Sequence, residues 1–423
     1  MSGPPELKVA LVGVNAPGYR SLALAYVRAY AQAVPALVGA AFITLDLDTT
    51  VDPWWIAYRV IALEPDVVGF SVVCWNARVV FEVARLIKTA LPRTLVVVGG
   101  PEVGPAAEEV LERHPECDAV VRGEGEATFA DLLVEFGCGR DVSRVEGVTA
   151  RREGRVVSAP ERALIADLDS IPSPYLTGVL PPVDGSTYLE TYRGCPHRCA
   201  YCFEGKGYGR LRHFSKERVG SEIDFVASAR AVHSFSFIDP VFNLDSERLR
   251  WLSGSLAPHV IEGVRLHTVE VDIERVDATQ ARLLALAGVV SVETGPQSVG
   301  TTALATCNRA FDADAFAAGV RALRDKNISV ETDLIIGLPG DTVEDVLAGL
   351  DFAIGLDPGT VQISTLHVLP GTELWSRAEE FELRYDPEPP HEVIATQQMS
   401  FPDLRRTEVF AAAAAKVYRA KLG

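Results

Sequence analysis

"YRGCPHRCAYCF", residues 192–203, sets Cys195, Cys199 and Cys202 within eight positions and offers no fourth cysteine nearby. The segment closes an apolar strand pattern, "TYLETYRG", and contains Gly194 and Pro196, so the three thiolates are expected on a loop that can wrap an inorganic core. Three metal readings compete. A structural zinc site wants four protein ligands, and His197 inside the loop or His213 beyond it would have to complete the set. A four-cysteine iron–sulfur centre would need Cys74, Cys117, Cys138 or Cys307, whose scattered apolar and loop contexts suit reduced thiols instead. The third reading is a [4Fe–4S] cluster held by three cysteines, with one iron left open to a small molecule.

Outward from the loop, strand and helix patterns alternate. Downstream strands are "SFSFIDP", "RLHTVEVD", "VVSVETG", "VETDLIIGLP" and "TVQISTLHVLP", separated by helices such as "KERVGSEIDFVASA" and "ADAFAAGVRALRDKN". With the strand before the loop they make six units over residues 187–380, too few for a closed eightfold barrel; a partial (β/α)6 TIM-like barrel is expected. Upstream, residues 1–136 hold strand candidates at 7–14, 40–47, 66–73, 94–100 and 118–123 with helices between them. That is the pattern of a flavodoxin-like (Rossmann-type) doubly wound parallel sheet, making the whole chain α/β. Residues 137–186, with the hairpin pattern "VEGVTARREGRVVSAP" and a proline-rich passage, read as a linker, and residues 381–423 as a helical extension.

Composition narrows the setting. A chain of 423 residues with 48% hydrophobic and 23% charged residues is globular in type. Its formal charge of −17 opposes a phosphate-backbone partner, so no nucleic acid is expected. No apolar run is long enough to span a bilayer, and "MSGPPELKVALVG" has neither a basic region nor a cleavage site. No membrane partner and a cytoplasmic location follow as expectations.

The C-x3-C-x2-C spacing, with Tyr201 directly before the last cysteine, resembles the signature of radical S-adenosylmethionine (SAM) enzymes. In that family SAM chelates the open iron, and one electron from the cluster cleaves it to methionine and a 5′-deoxyadenosyl radical. The resemblance implies Tyr201 beside the adenine, with further groups for SAM at later strand ends. These are Asp239 and Asn243 in "FIDPVFN", Glu293, Gln297 and Ser298 in "VETGPQS", Gly337 and Pro339 in "DLIIGLPGDT", and His367 in "HVLPGTELW". Read alone, each Pro-Gly pair is equally a turn and His367 equally a paired core histidine. An external one-electron reductant of flavodoxin or ferredoxin type is implied as a partner.

The strand ends of the N-terminal sheet are rich in small residues, and "GGPEV" followed by "RGEGE" ahead of such a barrel resembles the cobalamin-binding domain of cobalamin-dependent radical SAM enzymes. The resemblance implies a corrin site from Tyr19, Ser71, Trp75, Asn76, Gly99, Gly100, Pro101, Glu102, Gly123, Glu124 and Gly125. The Asp-x-His-x-x-Gly run that supplies a histidine to cobalt in other cobalamin proteins is missing after the first strand. A domain that merely buttresses the barrel is the alternative. The activity implied is methylation of an unactivated carbon or phosphorus of a small-molecule or peptide substrate through methylcobalamin. Its rivals are a non-methylating radical cyclisation or rearrangement, and a non-catalytic iron–sulfur redox protein.

Overall fold

The computed structural model describes residues 7–203 and 210–422. Its two compact units are Met1–Pro181 and Pro182–Gly423.

The first unit runs β1 (Lys8–Asn15), α1 (Leu22–Ala33), β2 (Ala41–Asp48), α2 (Pro53–Ile61), β3 (Val67–Ser71), α3 (Ala77–Ala90), β4 (Leu95–Gly99), α4 (Ala107–Arg113), β5 (Ala119–Val121), α5 (Gly125–Gly137), β6 (Val148–Arg152) and β7 (Arg155–Ser158). The sheet order is β2-β1-β3-β4-β5-β6-β7, parallel through β5, with the topological switch between β1 and β3. Side chains of β1 leave it alternately, as a strand's period of two requires. Ala10, Val12 and Val14 join Ile56, Val80, Val83 and Leu111 from α2, α3 and α4. Val9 and Leu11 join Leu24, Phe129 and Leu133 from α1 and α5 on the opposite face. The hairpin expected within residues 137–186 forms as β6 and β7. It continues the same sheet, β6 running antiparallel to β5 with Val148 opposite Val121.

The second unit runs β8 (Tyr188–Leu189), β9 (Tyr192–Arg193), β10 (Arg212–His213), α6 (Lys216–Ala227), β11 (Ser234–Phe237), α7 (Ser246–Ile261), β12 (Arg265–Leu266), β13 (Val269–Glu270), α8 (Ala278–Leu286), β14 (Ser291–Gln297), α9 (Thr301–Thr306), α10 (Ala313–Arg324), β15 (Ser329–Ile336), α11 (Val343–Gly355), β16 (Thr360–Thr365), α12 (Glu373–Ser376), β17 (Arg384–Tyr385), β18 (Val393–Ala395) and α13 (Phe401–Leu422). Strands β8, β11 and β12 pair in parallel, as do β13 to β16, and a parallel bridge from Leu266 to Val289 joins the two sets. The "RLHTVEVD" strand is thus broken into β12 and β13, and six strand positions make the open barrel. Ser215, Asp245, Asp277, Asp312 and Thr342 each cap the helix that follows, accepting a first-turn N–H. Along β15, Leu334 and Ile336 pack with Val346 and Leu350 of α11. Glu331 and Asp333, half-buried, therefore point to the opposite face, the barrel interior.

Candidate active site

The cysteine loop is held from three sides. Its Ala200, fully buried, donates its N–H to Cys307 O at 2.9 Å and accepts from Leu374 N at 3.0 Å. Cys199 is 8% exposed, while Cys195 and Cys202 are half-buried. On one flank His197 Nε2 lies 3.4 Å from the Asp272 carboxylate. Asn243 orients that aspartate's backbone, accepting from Asp272 N at 2.9 Å and donating to Asp272 O at 2.9 Å and Gln280 Oε1 at 2.8 Å. Asn243 is 0% exposed, and its amide is fully engaged in this bracing. Asp239, 1% exposed, braces the strand entering the loop, accepting from Thr191 N at 2.8 Å and from the Thr191 hydroxyl, with Arg248 Nη2 at 3.7 Å. Burial outweighs Arg248 and raises this carboxyl to about 6.

The residue that the sequence reading passed over is Arg309. Its Nη1 donates to Cys199 Sγ at 3.5 Å and to the Tyr201 hydroxyl at 3.3 Å, and its Nη2 donates to Gly295 O. Three soft thiol donors on one loop, one with a guanidinium at its sulfur, suit a centre whose ligands are thiolates. A tetrahedral zinc site needs its ligands on one ion at about 2.0–2.3 Å. Among the described residues no three His, Cys, Asp or Glu side chains are arranged to hold a single ion. Three thiols on one anchored loop, with the Arg309 guanidinium at the Cys199 sulfur, fit a cluster whose ligands are thiolates. Cys307 contributes its carbonyl to the loop, and its buried thiol is pushed up to about 12.

The interior face of the barrel is acidic. Glu270, Glu293 and Glu331 are direct neighbours across β13, β14 and β15, and Asp333 follows one step along. Burial, then the Glu293, Glu270 and Glu331 charges, pushes the Asp333 carboxyl up to about 8; protonated, it hydrogen-bonds Glu293. The signal was present in the sequence as Val-Glu recurring in "HTVEVD", "SVETG" and "SVETDL", one per consecutive strand. At the end of β14 the register with β15 shifts between Thr294 and Gln297, and Gln297 takes a left-handed φ of 65°. Beyond it, buried Ser298 donates to Asp341 Oδ1 at 2.7 Å and accepts from Gly300 N at 2.8 Å. Burial raises the Asp341 carboxyl to about 7. Gly337 and Pro339 turn the chain out of β15, and His367 follows β16 half-buried, its pKa lowered by burial and its backbone paired in an antiparallel β-bridge with Glu392.

In the first unit the expected corrin residues gather at the carboxyl ends of β1, β3, β4 and β5, around the topological switch where open α/β sheets take ligands. Trp75 and Tyr19 are 51% and 56% exposed there. Gly100 has φ 119°, and a Cβ on it would collide with Val72 O, so β3 and β4 end in contact only because this residue is glycine. Gly123 is left-handed with open space around it. Small residues end these strands beside the exposed rings of Tyr19 and Trp75, which leaves room for a broad ligand that can stack on them. Asn76 is a brace: its amide donates to Val14 O at 2.9 Å and Ser71 O at 3.1 Å and accepts from Val73 N at 2.9 Å. Glu124 accepts from Ile165 N at 2.8 Å. In the position after β1, Arg20 pairs with Asp46 at 3.5 Å.

Two family models match this chain: the B12 binding domain over residues 11–133 and the radical SAM superfamily over residues 189–353. The chain therefore belongs to the radical SAM superfamily with a B12-binding domain ahead of the barrel, the class of cobalamin-dependent radical SAM enzymes. The cofactors of that class are a [4Fe–4S] cluster, SAM and cobalamin. An uncharacterized methyltransferase, PH0819, of Pyrococcus horikoshii is 29% identical over 323 residues, 74% of this chain and 70% of that protein. The cobalamin-dependent radical SAM methyltransferase TokK of Streptomyces tokunonensis is 37% identical over 179 residues, 39% of this chain but only 26% of its own length. Among solved structures, the radical SAM methyltransferase TsrM of Kitasatospora setae superposes with a TM-score of 0.72 at 20% identity, over 95% of this chain and 81% of that one. Among the described residues no helix is long and apolar enough to cross a membrane.

Proposed function

We propose that this chain is a cobalamin-dependent radical SAM methyltransferase acting on an unactivated carbon, or phosphorus, of a small-molecule or peptide substrate. The observation that carries the reading is the anchored loop presenting Cys195, Cys199 and Cys202 beside the strand ends of the barrel; similarity to named methyltransferases supports the methyl-transfer part. When bound, the three cofactors supply one-electron cleavage of SAM and a transferable methyl group. The chain's own residues hold and orient. The three cysteines would hold the cluster, and Asn243 and Asp239 brace the strand ends around it. Tyr201, Glu293, Gln297, Ser298, Gly337, Pro339 and His367, on the cysteine loop and at the later strand ends, would supply the groups for SAM, and the first unit's strand ends would take the corrin. A reductant of flavodoxin or ferredoxin type would supply the electron.

The test is anaerobic reconstitution with iron, sulfide and hydroxocobalamin, followed by assay for 5′-deoxyadenosine and S-adenosylhomocysteine. Methylation predicts both, and a product heavier by one CH2 once a substrate is found. 5′-Deoxyadenosine without S-adenosylhomocysteine favours cyclisation or rearrangement instead. Absence of both products refutes the enzymatic reading.

A further inference from the structure

Arg309 follows α9, separated from Cys307 only by Asn308, and is wedged between the cysteine loop and the end of β14. Two of its nitrogens are committed, Nη1 to Cys199 Sγ at 3.5 Å and the Tyr201 hydroxyl at 3.3 Å, and Nη2 to Gly295 O. Its Nε is buried without an acceptor among the described residues. The Gly295 carbonyl lies within the stretch where β14 loses register with β15, so it is released from the ladder to receive the guanidinium. A Cβ at 295 would collide with Asp333 O, so glycine is what lets the bulge lie this close to β15. A rigid, permanently charged donor is thereby aimed at one cysteine sulfur.

We propose that Arg309 sets the reduction potential of the iron–sulfur centre by hydrogen-bonding the Cys199 sulfur; this rests on the reading that the three cysteines hold a [4Fe–4S] cluster. Reduction adds one negative charge to the centre. A cationic N–H on a ligand sulfur stabilises the reduced form more than the oxidised form and raises the potential. The guanidinium stays charged at all working pH values, so the effect does not depend on a proton. Arg309 acts through Cys199 and is a positioning and tuning residue.

The test uses full-length protein, reconstituted anaerobically and kept free of SAM, as wild type, Arg309→Lys and Arg309→Gln. Iron and sulfide are quantified first, and the midpoint is then measured by dye-mediated potentiometry read by EPR. Arg309→Gln is expected to hold a full cluster with a midpoint at least 59 mV more negative, a tenfold fall in the reduced-to-oxidised ratio at fixed potential for a one-electron couple. Arg309→Lys, which keeps the charge but loses the fork, should shift in the same direction by less. If Arg309→Gln fails to load, the Lys variant decides, a negative shift supporting the proposal. A fully loaded variant with an unchanged midpoint overturns it, even if SAM affinity falls. A wild type with no cluster overturns the cluster reading itself, which the iron and sulfide analysis shows before any potential is measured.

Discussion

Replacing Asp333 with asparagine should make the protein more stable in base while leaving it unchanged in acid. The Asp333 carboxyl is half-buried among Glu293, Glu270 and Glu331, and these surroundings move it from the ordinary 3.8 to about 8. Between those two values the folded chain holds a proton that the unfolded chain has released, so stability falls as pH rises from about 4 to 8. The full displacement corresponds to a ceiling of about 6 kcal/mol at about 1.4 kcal/mol per pH unit. Glu293 shares the same proton and the site is only partly buried, so the realised penalty above pH 8 is about 2 kcal/mol. Asparagine keeps an N–H donor for Glu293 and cannot ionise. Urea unfolding of wild type and Asp333→Asn, followed by circular dichroism at about pH 4 and about pH 8.5, below and above the interval in which the penalty builds up, reads the difference. The variant should match wild type within about 0.5 kcal/mol at the lower pH and gain about 2 kcal/mol at the higher. A difference between the two proteins that is the same at both pH values would refute the shared-proton arrangement.

Three further outcomes follow from single contacts. Asn243→Ala strands the Asp272 N–H and C=O and the Gln280 carbonyl in a buried setting. It should cost about 3 kcal/mol in urea unfolding and lower the iron bound after reconstitution; unchanged iron content would show that the brace does not reach the loop. Gly100→Ala forces a Cβ into Val72 O at φ 119° and should destabilise the first unit by roughly 2 kcal/mol or more. Hydroxocobalamin uptake, read by its visible absorbance, should fall with it while iron content holds. Cys199→Ala should abolish 5′-deoxyadenosine formation, and full retention of cleavage would contradict the cluster assignment.

Much of the frame was legible because it is written in local periodicity. The buried run of β1 and the amphipathic helices around it define a two-faced parallel sheet before any contact is known. The six barrel strands stand out for the same reason, and the cysteine spacing places the metal loop between two of them. What stayed hidden depends on pairing between distant residues. Nothing near residue 148 shows that β6 pairs with β5 and joins the first sheet. Asn243, Asn76 and Asp239 sit where ligand groups were expected, yet much of their hydrogen-bonding capacity goes to backbone groups up to 62 residues away. Arg309 lies 110 residues from Cys199 in sequence, and only the fold shows that its side chain reaches the sulfur. The row of glutamates was half visible: the recurring Val-Glu is in the sequence, but its alignment across strands is set by register.

The most direct test is the EPR spectrum of the reduced, anaerobically reconstituted protein before and after SAM is added. A site-differentiated cluster, with one iron left unligated by the three loop cysteines, predicts a [4Fe–4S] signal whose g values shift when SAM chelates that iron. A spectrum that is indifferent to SAM, or metal analysis returning zinc in place of iron and sulfide, would contradict the account.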